Sequence, residues 1–100
     1  MNGIEGLDKV TIIMNVLAAY LGIEVKELND KLKKKENKYL LLLLLKKYNC
    51  LNAGNVKCVL EIISDKSMKF NIDKAEEKFL INRDFREKYL EVQEGINKII

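Results

Sequence analysis

The run of six leucines from Leu40 to Leu45 constrains the fold more than any other feature of the chain. Successive residues of an α-helix turn by about 100°, so six apolar neighbours point to every side of it. Such a helix needs protein all round it, which places it at the centre of a bundle. The run is too short to span a bilayer, which takes about 20 apolar residues. A helix over about 38–48 is predicted, central to the core. The alternative makes one of its sides a seam between two copies.

The rest of the chain also reads as helix. Asp8 stands where an N-cap would, and Val10, Ile13, Met14, Leu17 and Leu21 follow at helical spacing. Gly22 marks the end of that helix. Residues 23–28 suggest one turn that sets Val25 and Leu28 on the core, and the polar stretch 29–37 is expected to be exposed. Asn52 to Asn55, with Gly54, reads as a turn before a short helix at about 56–62. Ser64 or Asp65 then caps a helix over about 66–80, with Met68, Ile72, Ala75 and Phe79 on one face. Asn82 caps a last helix in which Phe85, Tyr89, Val92, Ile96 and Ile99 form an apolar stripe. That stripe either covers the core or meets a partner.

Composition agrees with one all-α domain over 1–100, a bundle of five or six helices. The chain has no proline and is 48% hydrophobic. Helices tolerate the lack of proline, whereas sandwiches and barrels commonly use it in turns and edges. Met1 opens the chain without a ragged linker, so a natural start is expected. No basic segment precedes the apolar stretch 10–23, and two cysteines, Cys50 and Cys58, make no disulfide framework. The expectation is a cytoplasmic protein with both thiols reduced and buried.

Several chemistries lack their residues. There is no histidine, the usual acid–base group at neutral pH and the commonest metal ligand. Two cysteines without histidine do not make a zinc site. No glycine-rich phosphate loop or dinucleotide turn occurs. Glu76 and Glu77 are adjacent on a helix and point apart, so they are not a catalytic pair. No enzyme activity, cofactor, metal or small-molecule substrate is expected.

Charge is unevenly spread. Residues 31–47 hold seven lysines and one acid, Glu36, whereas residues 73–94 hold seven acids and five bases. A basic front half suggests a face for a polyanion. Two helices joined by a tight turn, the second with lysines outside, match a helix-turn-helix over about 55–80.

The order of these features resembles the C-terminal DNA-binding domain of the bacterial replication initiator DnaA. The likeness runs over about 8–99. It covers the first helix and its sequel, Val16 to Leu28; the basic stretch Lys31-Leu32-Lys33-Lys34-Lys35; the leucine-rich helix Tyr39 to Tyr48; the helix-turn-helix Asn55 to Phe79; and Asp84-Phe85-Arg86 in the last helix. The family's signature, close to G-G-R-D-H-S-T-V, falls on Ile62 to Met68. There the cap and the last apolar position, Met68, are kept and the base-reading start is altered. The ATPase module is missing. The resemblance therefore implies a fold of the Trp-repressor and DnaA C-terminal type and a surface for double-stranded DNA. Replication or transcription control is the process such a domain would serve. It does not imply origin recognition or ATP binding.

Carried over by position, Lys31, Lys33, Lys34, Lys35 and Lys38 would hold the phosphate backbone. Ser64, Asp65, Lys66, Ser67, Lys69 and Asn71 would open the recognition helix. Lysine can donate to guanine and Asn71 could read adenine, while Phe70 faces either the groove or the core. Ser64 and Asp65 serve capping, base reading or both. The competing expectation is a non-catalytic interaction domain that kept the fold. In it, a second copy or a protein partner would bind through the leucine helix or the final stripe.

Overall fold

Helix α1 (Leu7–Leu21) ends because Gly22 turns left-handed, at φ 75°. The Gly22 amide donates to Ala19 O and the Ile23 amide to Ala18 O, which closes a Schellman motif. Ile23 folds back against the core. The structure is a computed structural model and describes residues 7–51, 60, 62 and 64–100.

A 3-10 turn (Val25–Glu27) follows, and then α2 (Leu28–Lys31), α3 (Lys35–Lys47), α4 (Asp65–Ile81) and α5 (Arg83–Asn97). The architecture is all-α, with no strand among the described residues. The Cα radius of gyration, 12.7 Å, is that of a folded chain of this length.

All six leucines of the run are at most 7% exposed. Helix α3 packs on α1, α4 and α5, and α5 in turn packs on α1 and α4, so α3 is enclosed as its pattern requires. Each fully buried leucine contributes about 1.5–3 kcal/mol from burial, an upper estimate because the unfolded chain is partly collapsed. Gly95 permits the close approach of α5 to α1, since a Cβ there would sit 3.3 Å from Val16 Cγ1.

Helix α3 stops by the same device as α1, with asparagine in place of glycine. Asn49 has φ 60°, its amide donates to Lys46 O, and the Cys50 amide donates to Leu45 O. Asparagine tolerates this conformation better than most residues. The turn draws Cys50 into the core.

Helices α4 and α5 start as their sequence indicates. Ser64 Oγ accepts from the Ser67 amide at 3.1 Å, and Asn82 Oδ1 accepts from the Phe85 amide at 2.9 Å. Met68 and Ala75 are buried, with Ile72 and Phe79 packed beside them. Phe85, Tyr89, Val92 and Ile96 are buried in the core.

Several expectations need correction. Asp8 lies inside the first turn of α1, which begins at Leu7, and is not its cap. Val25 is 40% exposed; Leu28 alone of that pair is buried. The stretch 29–37 is not a uniformly exposed loop: Leu32 and Asn37 are buried, and α3 begins at Lys35, three residues before the expected start. Its first turn is polar, so apolar periodicity could not reveal it. Ile99 lies beyond the end of α5 and is exposed. The turn Asn52–Asn55, Cys58, Ile63 and most of the short helix at 56–62 lie outside the described residues. Within that stretch Leu60 is helical and buried, and Ile62 is buried outside a helix.

Candidate nucleic-acid interface

The basic residues 31–38 straddle two helices. Lys31 ends α2, Lys33 and Lys34 lie in the connection, and Lys35 and Lys38 occupy the first turn of α3. Two features hold this segment in place. Leu32 plugs into the core. The Asn37 side-chain amide donates to Lys31 O at 2.9 Å, tying the start of α3 to the end of α2.

These lysines have few internal partners. Lys33 Nζ lies 3.9 Å from an Asp30 oxygen, and both side chains are well exposed. Lys31, Lys34, Lys35 and Lys38 have no ion-pair partner among the described residues. Glu36, the one acid in the segment, bonds to Lys88 of α5. That bond, and the charges of Lys88, Lys78 and Lys34, hold the Glu36 carboxyl below its usual range against the opposing effect of burial. Lys88 is correspondingly raised, chiefly by its bond to Glu36. Tyr20 stands near the pair, its hydroxyl raised by burial first and by Glu91 second.

The start of α4 is built differently. Ser64 caps the helix from outside it, and Asp65 is its first residue, where a negative charge suits the helix dipole. Ser67 gives its amide to the cap and its carbonyl to the Asn71 side chain at 2.8 Å, so Asn71 is bonded back along its own helix. Lys69 Nζ pairs with Asp73 at 3.1 Å. Lys66 is exposed and has no carboxylate within ion-pair distance among the described residues. Phe70 is exposed, not in the core, and Lys74 Nζ lies 5.6 Å from its ring centre. Lys74 also faces Glu77 at 3.8 Å.

The two sets of residues do not form one cluster. The opening of α3 lies beside the C-terminal half of α4: Tyr39 shares a groove with Lys74, Lys78 and Ile81, and Glu36 feels the charge of Lys78. Lys66 lies twelve residues before Lys78, about 18 Å along the helix axis.

Sequence reasoning missed Lys88, Tyr20 and Asn37 as neighbours of the basic segment. All three line one cleft with Lys31 and Lys34. Tyr20 and Lys88 come from helices distant in sequence, so no local pattern pointed to them; Asn37 lies within the segment, where a polar residue in the first turn of a helix does not announce its burial.

Among the described residues, no group of three His, Cys, Asp or Glu side chains could hold a metal ion, and no helix is long and apolar enough to cross a membrane. No protein-family model, curated protein or solved structure matches this chain.

Proposed function

We propose that this protein binds double-stranded DNA, with the lysines of residues 31–38 as the main grip on the phosphate backbone and the start of α4 as a lesser contact. The observation that carries this reading is charge without compensation: of the five lysines, Lys33 alone has an ion-pair partner among the described residues, and that pair is exposed. Exposed, closely spaced ammonium groups exchange their counterions for phosphates readily. Ser64, Asp65, Lys66, Ser67, Lys69 and Asn71 supply whatever base reading occurs. Lys66 is the strongest candidate among them, since Lys69 and Asn71 already have intrahelical partners. The resemblance to the DnaA C-terminal domain supports the same reading and suggests a role in replication or transcription control.

A second reading has its own observation. Leu80 and Ile81, at the end of α4, are 74% and 77% exposed, and Leu80 borders an apolar cleft with Leu43, Phe79 and Tyr89. That surface suits a non-catalytic protein–protein interaction.

Fluorescence anisotropy of a labelled generic duplex at several salt concentrations separates the two. DNA binding through four to six phosphates predicts a slope of log K against log salt of about −4 to −5. An absence of binding at low salt would defeat the DNA reading and leave the apolar surface as the functional one.

A further inference from the structure

We propose that the cleft between the end of α1, the α2–α3 connection and α5 is a binding site for a phosphate group. The cleft has a volume of about 280 Å³ and is lined by Tyr20, Lys31, Lys34, Glu36, Asn37 and Lys88, together with apolar side chains. Three lysines face one carboxylate, and that carboxylate is already bonded to Lys88. The remaining charge matches a phosphate, which carries about −1.5 to −2 at neutral pH as a monoester.

The backbone adds donors to the same place. Helix α3 begins here and runs for 13 residues, so its opening carries about half a positive charge. Lys34, at the cap position, supplies no side-chain acceptor. The amides of Lys35, Glu36 and Asn37 have no acceptor among the described residues. Asn37 is 8% exposed and donates once, to Lys31 O; its side-chain nitrogen carries a second hydrogen. Ammonium groups from three elements, helix-start amides and a buried carboxamide surround a tetrahedral anion better than a planar carboxylate, which offers two oxygens. The site stands on these groups alone. That the phosphate belongs to a nucleic-acid backbone rests on the DNA reading above.

The test is a titration of the isotope-labelled full chain with inorganic phosphate at constant ionic strength, followed by the amide resonances of Lys35, Glu36 and Asn37. Saturable movement with phosphate but not with chloride is expected. Lys34→Gln, an exposed change whose folding is checked by circular dichroism, should weaken that binding by about tenfold. No saturable movement, or equal movement with chloride, would overturn the proposal.

A short duplex without terminal phosphates then identifies the source. If it displaces phosphate from the same amides, the cleft holds a backbone phosphate and both readings stand. If phosphate binds and the duplex does not bind at all, the cleft serves a small phosphate ester and the DNA reading fails. If the duplex binds and phosphate never does, the DNA reading survives and the cleft proposal is lost.

Discussion

Helices α3 and α4 carry four lysines each, and use them in opposite ways. In α3 the lysines stand at the two ends of an apolar block, with one acid among them. In α4 they alternate with four acids along the outer face, and two of them pair with acids one turn away. The block pattern buries the middle of α3 on every side and concentrates positive charge where the helix meets solvent. The spaced pattern buries one stripe of α4 and pairs Lys69 and Lys74 with acids of the same helix, while its Glu76 takes Lys46 from the far end of α3. Local charge balance, more than lysine content, therefore separates a candidate grip on a polyanion from an ordinary solvated face.

The largest difference expected between the two helices is in stability. Leu42→Ala should cost about 2–5 kcal/mol in denaturant unfolding, because it leaves a cavity in an enclosed helix. Leu80→Ala on the outer side of α4 should stay within about 0.5 kcal/mol. Equal costs would mean that α3 is not enclosed or that Leu80 is covered.

Next comes the charge contrast, read in duplex affinity. Changing Lys33, Lys34 and Lys35 together to Glu should weaken binding by about 100-fold or more and flatten the salt dependence by about three. Changing Lys66 and Lys69 to Ala should weaken it by about tenfold at most, since one of the two is already paired. The reverse order of effects would make the start of α4 the principal contact.

The smallest effect concerns the link between α3 and α5. The Glu36 carboxyl is held below its unfolded value, so its bond to Lys88 stabilises the fold above the ordinary carboxylate range. That contribution disappears as pH falls through the lowered value. Lys88→Gln should therefore destabilise the protein by at most about 1 kcal/mol at pH 7, and the gap from the wild type should close as the pH falls below the lowered Glu36 value. A gap that persists in acid would assign the effect to packing instead.

The helices were legible where apolar spacing or a capping side chain announces them. Ser64 and Asn82 are capping oxygens in the expected places, and Gly22 is the expected stop. The opening of α3 was not legible, since Lys35, Glu36 and Asn37 show no apolar period and no capping side chain. Asn49 ends α3 as Gly22 ends α1, but asparagine is common in loops of every kind and so marks less. Of the candidate site, the lysines of 31–38 were visible as a run. Compensation was legible only in part: an acid one turn away, as Asp73 is for Lys69, can be read from spacing, whereas a partner on a distant helix, as Glu36 is for Lys88, cannot.

The chain by itself determined an all-α architecture, the central position of the leucine helix, and a basic segment ahead of it. These follow from patterns local to a few helical turns, and periodicity and block composition report such patterns directly. The tertiary structure alone decided which charges remain unpaired, that Asn37 is buried and ties α2 to α3, and that Tyr20 and Lys88 join Lys31 and Lys34 around one cleft. The cleft and the Glu36–Lys88 bond come from packing residues more than ten positions apart, and the Asn37 tie from a fold-back over six; pairwise distance in a packed core is not encoded in any local pattern.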